Sequence, residues 1–461
     1  MTHTERPLMT DPTFWGLLVT QFLGAFNDNV FKFLVMFLCA AQAKRNPQDD
    51  WQSMATIAFA SPFVLLSGVC GFLGDRYSKR QIIVTCKLLE IGVMGVGLLV
   101  LWATNPSKLQ LGLLIGVLFL MGAHSTLFGP AKYGILPEIY PKHRLPSING
   151  WFLMTTFVAI IGGGAAAGYL KDELPNLVSV QCVCVVIAMA GTVASLPIRR
   201  TPIAHPGLPF KRSAFFIDPE ARAALRQQPK LRTALFYTSI FWFVGGVFLQ
   251  AVVSMGSLQY DLSDTRNGLL AATTSVGIAV GSVLAGALSR SRFRAGLVRW
   301  SGLGMVICLG WLAIPGEKIV VSPLVNHQTP QTTASAEETV HDSPSSPSRS
   351  LRRPLVSLFG AGILLTCAGL CAGLFAVPLQ VYMQAMSPPD LKGRMIGAMN
   401  LLNWIGIVMS GIFYGIFGKL FVFLEIGPNA IFGAVSVVVL VAILLFKMQD
   451  ESLDAMPVAG G

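Results

Sequence analysis

Charge is what this sequence has little of. Only 12% of its 461 residues are Asp, Glu, Lys or Arg, about half the share of an ordinary soluble domain. So few charges cannot cover a water-exposed surface for a chain of this size, which excludes a typical soluble enzyme, a nucleic-acid binder and a disordered scaffold. Patterned cysteine is lacking too. Cys39, Cys70, Cys86, Cys182, Cys184, Cys308, Cys367 and Cys371 all lie in apolar stretches, and none has the His or acidic neighbours of a metal site, so neither metal nor cofactor is expected. A cleavable signal peptide is not expected. The first apolar run is too long, and it carries Asn27, Asp28, Asn29 and Lys32. Gly162-Gly163-Gly164 is no phosphate loop, because no strand precedes it and no Lys-Ser/Thr follows; it reads as a tight helix-packing site.

What is present is apolar. Hydrophobic residues make up 53% of the chain, with a mean hydropathy of +0.62. A bilayer-spanning helix needs about 20 such residues. Apolar runs between polar breaks predict twelve spans, at 14–39, 51–73, 81–103, 109–131, 149–170, 177–197, 232–256, 267–289, 296–315, 354–380, 394–420 and 427–447. The reading is an all-α membrane protein of two six-helix halves, 1–197 and 232–450. A basic linker, 198–231, joins them, and a short tail, 451–461, follows. With both termini in the cytoplasm, most Lys and Arg fall on the cytoplasmic side, so the net charge of +11 reads as a topology signal. The Ser/Thr/Pro-rich stretch 316–353 reads as a disordered insertion on the other side.

Some polar residues sit inside spans, where a charge at the helix centre costs about 2.5–3.5 kcal/mol on insertion scales and marks a functional site by default. Asp28 is central in span 1. Gln21, Gly24, Asp28 and Lys32 share one helix face, and Asp28 with Lys32 has the i,i+4 spacing of an ion pair, which leaves a purely structural role open. Asn27 and Asn29 lie off that face and are expected to bond neighbouring helices. Lys132 follows Pro130 at the end of span 4, either as a phosphate-holding cation or as an interfacial lysine, with Glu138 as a possible partner. Glu90 and Lys87 read as a local pair in span 3, and His124 as a hydrogen-bonded helix residue. Asn400 and Trp404 share a face of span 11 and are candidate cavity residues; Pro378, Gln380, Tyr382 and Gln384 suggest a hinge or inner rim at the end of span 10.

Between spans 2 and 3 runs Gly71-Phe72-Leu73-Gly74-Asp75-Arg76-Tyr77-Ser78-Lys79-Arg80. The glycines allow close helix approach, an acid there suits the positive end of a neighbouring helix, and the cations can pair with acids or lipid phosphates. With twelve spans and a central basic linker, this resembles the signature loop of the major facilitator superfamily. A degenerate second copy, Gly286 to Arg294, follows span 8 with Arg290 in place of the acid. The resemblance assigns gating to Gly71, Asp75, Arg76, Lys79 and Arg80.

Two further strings narrow it. Gln21-Phe22-Leu23-Gly24-Ala25-Phe26-Asn27-Asp28-Asn29-Val30-Phe31-Lys32 and Gly129-Pro130-Ala131-Lys132-Tyr133-Gly134-Ile135-Leu136 resemble the lysophospholipid transporter family, with Asn149-Gly150, Phe241-Trp242 and Gly373 to Pro378 in agreement. The resemblance implies alternating access, inward movement of lysophospholipids, notably lysophosphatidylethanolamine, across the bacterial inner membrane, and a separate acyltransferase that consumes them. No His-x4-Asp acyltransferase pair occurs in the chain. Some family members place a basic residue after the Phe-Trp pair of span 7; here Gln250 is the strongly polar residue of that stretch. The competing functions are a proton-coupled solute antiporter of the same fold, with Asp28 as proton carrier, and a membrane sensor that moves nothing.

Overall fold

A computed structural model describes residues 7–45, 51–104, 107–210, 212–289, 292–321, 349–424 and 426–453. Twelve long helices dominate it: α1 (Pro12–Arg45), α2 (Gln52–Arg76), α3 (Lys79–Ala103), α4 (Lys108–Gly134), α5 (Leu145–Glu173), α6 (Leu177–Ser195), α7 (Pro229–Leu258), α8 (Asp264–Ser289), α9 (Ala295–Ala313), α10 (Leu358–Met386), α11 (Lys392–Phe423) and α12 (Ala430–Leu445). Eleven of these are long and apolar enough to cross a membrane, and the twelfth, α12, is apolar but spans 16 residues. They are hydrophobic on all sides, as helices must be when one face meets protein and the other meets lipid. Leu99, Trp102, Val193, Phe236 and Leu444 are among the exposed apolar side chains left for the acyl chains.

Local chemistry sets the helix starts. Asp11 accepts from the backbone N–H of Thr13 at 3.0 Å and so caps α1. Ser107, Asn176 and Ser357 do the same for α4, α6 and α10. Asp11 also takes the Tyr140 hydroxyl at 2.9 Å and the Arg199 guanidinium at 3.1 Å. Burial and the adjacent Asp11 carboxylate hold that phenol well above its ordinary value. This cluster ties the start of α1 to the loop after α4 and to the linker. The tail lies at the same end. β4 (Glu451–Ser452) pairs antiparallel with β1 (Arg292–Phe293) in the loop after α8, and Glu451 accepts from Lys230 at the start of α7. We call this the termini end.

The halves meet along two related seams, α2 against α11 and α5 against α8. Both depend on missing side chains. A Cβ on Gly71 would sit 2.8 Å from the Gly393 carbonyl oxygen, and one on Gly286 would sit 2.7 Å from that of Pro146. Thus the glycine of the signature loop and the glycine of its degenerate copy occupy matching seams.

Several boundaries differ from expectation by a few residues: span 1 runs on to Arg45 rather than 39, and span 10 ends at Met386 rather than 380. Span 10 begins at Leu358 rather than 354. The stretch 316–353 is not wholly irregular: β2 (Pro315–Val321) pairs antiparallel with β3 (Arg349–Pro354). The β-branched run Ile319-Val320-Val321, paired with Leu351, Ser350 and Arg349, is the strand signal that the Ser/Thr/Pro composition masked. The remainder of the predicted insertion, 322–348, lies outside the described residues. Because the β2–β3 ladder closes the connection, replacing 322–348 by a two-residue Asn-Gly turn should leave transport within about twofold of wild type. Uptake normalised to membrane protein checks this; loss of folding or flux would show that the excised stretch is structural.

Candidate functional site

The charges inside the spans gather in the N-terminal half. Lys87 and Glu90 of α3 pair at 2.5 Å with both side chains buried. Glu90 also accepts from Asn27 of α1 at 2.8 Å and lies 3.7 Å from the His124 Nε2 of α4. Gly24 of α1 leaves room for the Lys87 ammonium. Breaking a buried pair by removing one partner costs about 3–5 kcal/mol, so this network holds α1, α3 and α4 in one arrangement.

Asp28 stands beside that network. Its Oδ2 accepts from the Ser125 hydroxyl of α4 at 2.6 Å, and its Oδ1 is buried with no hydrogen-bond partner among the described residues. The i,i+4 pair with Lys32 does not form. Lys32 instead donates to the Asn29 amide oxygen at 2.8 Å and lies near the Phe33 and Phe59 rings. Asn29, expected to reach a neighbouring helix, bonds its own helix at the Ala25 carbonyl, whereas Asn27 crosses to α3 as expected. The short Asn29 side chain meets Lys32 one turn on, which leaves Asp28 turned toward α4.

One turn or two toward the termini end, Lys132 donates to the Gln21 amide oxygen at 2.9 Å. The Gln21 nitrogen donates to the Phe152 carbonyl and to the Thr155 and Thr156 hydroxyls of α5. The Phe128 and Tyr133 rings flank the ammonium at 5.5 and 4.9 Å. Lys132 is therefore held in the protein by a neutral amide, and among the described residues no acid pairs with it within 4.0 Å. Glu138 is not its partner: that carboxylate pairs with Lys79 of the signature loop. Helix α4 ends at Gly134, and the following short helix, Leu136–Ile139, carries Glu138 back toward α3.

A narrow crevice of about 30 Å³ opens beside Tyr133, between the halves. Leu153 of α5, Phe241 and Trp242 of α7 and Val377 of α10 line it. Gln380 reaches it with a buried amide nitrogen that has no hydrogen-bond partner among the described residues. The facing half supplies no charge at this depth: beyond Arg232, α7 has no charged residue, and α10 has none at all. Gln250 does not join the site. It bonds the Gly246 carbonyl of its own helix at 3.0 Å. Asn400 and Trp404 meet the other half rather than open space. The Asn400 amide packs against Gly129 of α4, and Trp404 stacks on Phe63 of α2 with ring centroids 4.0 Å apart.

The signature loop forms a second cluster at the termini end. Asp75 is wholly buried. It accepts from the backbone N–H of Gly393 at 2.6 Å and of Arg394 at 3.0 Å, and from the Arg394 Nε at 3.1 Å. A carboxylate of α2 thus caps the positive N-terminus of α11, in the opposite half. Arg394 also pairs with Asp218 and Glu220 of the linker. Arg76 donates to the Leu208 carbonyl, and Arg80 to those of Leu196 and Ile198. On the other seam, Asn149 of α5 and Gln384 of α10 exchange amide hydrogen bonds at 2.7 and 2.9 Å. Both clusters clamp the halves together at the termini end. Sequence reading missed Arg394, Asp218, Glu220, Thr155 and Thr156. A Gly-Arg pair at the start of span 11 was the available signal for the first of these.

The profile of the Major Facilitator Superfamily matches residues 14–324. The chain is 27% identical over 418 residues to the lysophospholipid transporter LplT of Serratia proteamaculans (strain 568), covering 89% of each. It is 28% identical over 292 residues to LplT of Yersinia pestis (strain Pestoides F), covering 62% of this chain and 66% of that one. Among solved structures, the human organic anion transporter MFSD10 (TETRAN) superposes with a TM-score of 0.69 at 13% identity, over 96% of this chain and 100% of that one. The E. coli fucose:proton symporter FucP gives 0.65 at 13% identity, over 95% and 98%. The twelve helices, the paired glycine seams and the Asp75 cap agree with the profile: the chain is a transporter rather than an enzyme, and it belongs to the major facilitator superfamily.

Proposed function

We propose that this protein carries lysophospholipids inward across the bacterial inner membrane, with lysophosphatidylethanolamine as the principal substrate. The division of the cavity carries the reading. The N-terminal half holds, on α1 and α4, two half-buried charges, Asp28 and Lys132, each hydrogen-bonded to a neutral group, with Tyr133 next to Lys132 at the crevice. Across the crevice, α7 and α10 are uncharged, with Phe241, Trp242, Ala376 and Val377 beside the neutral Thr238 and Gln380. A zwitterionic headgroup on a single acyl chain is complementary to both: phosphate toward Lys132, amine toward Asp28, chain along the apolar half. The similarity to the Serratia proteamaculans LplT over 89% of the chain supports the same class. The two halves would rock about this midplane site, with both termini in the cytoplasm and a separate acyltransferase consuming the product.

A headgroup-resolved uptake assay in proteoliposomes tests the proposal. Wild-type protein should take up labelled lysophosphatidylethanolamine. Lys132→Gln should lower uptake about 10- to 100-fold, the worth of a charge-assisted hydrogen bond of about 1.5–3 kcal/mol. A solute antiporter predicts instead no lysophospholipid flux in the wild type, and a sensor predicts binding without flux.

A further inference from the structure

The linker does more than join the halves. Residues 205–210 and 212–216 run along the outside of α2. The His205 N–H donates to the Asp75 carbonyl at the helix end. Leu208 packs on Phe72, and Phe210 meets the Phe72 ring edge-on at 5.4 Å. The short turn Arg212–Phe215 and Phe216 then lie against Gly68, where a Cβ would come within 2.5 Å of the Phe216 carbonyl. Gly68 is about two turns inside the end of α2 at Arg76, or roughly 12 Å at 1.5 Å per residue. At that depth Phe215 is 45% exposed and Phe216 69% exposed. Two adjacent phenylalanines facing outward beside a membrane span meet acyl chains, not water.

The chain then drops back to a short helix, Pro219–Gln227, capped by Asp218. Ala221 and Leu225 face the protein. Arg222 and Arg226, one turn apart, line an open groove on the other side. Since Asp218 and Glu220 bind Arg394 at the start of α11, this helix sits level with the helix ends, where lipid phosphates lie.

We propose that linker residues 205–210 and 212–227 form a lipid-binding finger across the α2–α11 seam: Phe215 and Phe216 enter the acyl region of the leaflet at the termini end, and Arg222 and Arg226 hold the headgroup of an anionic phospholipid. The depth of Gly68 selects the bilayer as occupant, and the paired arginines select a negative headgroup. The inference is independent of which molecule the central cavity carries.

Photocrosslinking of the full-length protein, reconstituted in mixed phosphatidylglycerol and phosphatidylcholine vesicles, tests it. Benzoylphenylalanine at position 216 preserves the aromatic shape. It should give phospholipid adducts by mass, with few or none from the same group at Gln228, which is exposed beyond the helix. Adducts at 216 should be enriched in phosphatidylglycerol over its share of the vesicle. Arg222→Gln with Arg226→Gln should lower that enrichment by about fivefold or more, at unchanged total lipid crosslinking. Absence of lipid adducts at 216, or equal yield at 228, would overturn the insertion. An enrichment unaffected by the two substitutions would overturn the headgroup site.

Discussion

Asp28→Asn should abolish lysophospholipid uptake while the protein still folds and inserts. Asparagine keeps the shape, can still accept from Ser125, and is cheaper than a carboxylate in hydrocarbon. What it removes is the charge on an oxygen that has no hydrogen-bond partner among the described residues, Oδ1, the atom best placed for a substrate amine. The obvious structural objection is an orphaned Lys32. It does not arise, because Lys32 is held by Asn29 and not by Asp28. The substitution therefore breaks no ion pair, and the lost activity cannot be assigned to one. Combining it with Lys32→Gln sharpens the test. A structural pair predicts recovery when both charges are gone; a substrate role predicts continued inactivity. We expect uptake at least about tenfold below wild type in both variants, at equal protein level by size-exclusion chromatography. Recovery in the double variant would refute the assignment of Asp28 to the binding site.

The same residue shows how far the sequence could be read. Spacing placed Asp28, Lys32 and Gln21 on one face, because helical periodicity is local and survives burial. It could not say which of two neighbours within reach takes the Lys32 ammonium, since that choice is set by side-chain length and by what α4 presents. Gln21 illustrates the opposite case. Its link to Lys132 crosses more than a hundred residues of sequence, yet both were singled out, because polar groups inside apolar runs are few. Asn149 lies in a string that fits the family and Gln384 in the expected hinge or inner rim of span 10, but their mutual bond depends on how two halves dock, which no local signal encodes. Glu138 was misassigned for a similar reason: nearness along the chain to Lys132 was weaker than the turn after α4 that delivers it to Lys79. The linker acids Asp218 and Glu220 resembled ordinary loop charges, and only the fold brings them to Arg394.

Asp75→Asn should shift the protein toward conformations open at the termini end and slow net transport, with little change in substrate affinity. In the closed arrangement Asp75 makes three bonds across the seam, two to backbone N–H groups of α11 and one to the Arg394 side chain. Asparagine can keep one acceptor contact but brings an N–H₂ against a helix N-terminus that already offers donors. The cap is lost, and the charge that faced the helix dipole goes with it. Removal of one partner from a buried pair costs about 3–5 kcal/mol. Arg394 keeps Asp218 and Glu220, so the lower part of that range applies, enough to change an open-to-closed ratio by about a hundredfold or more. Opening the seam frees Arg394 to solvent, which removes the penalty there; the cost therefore falls on the closed state alone. Substrate affinity should hold because Asp75 lies at the helix end, apart from the Asp28 and Lys132 cluster. Distance distributions between labels on α2 and α11 at the termini end should broaden toward longer separations in the variant. If those distances stay at wild-type values while substrate binding weakens, Asp75 belongs to the binding site and not to the gate.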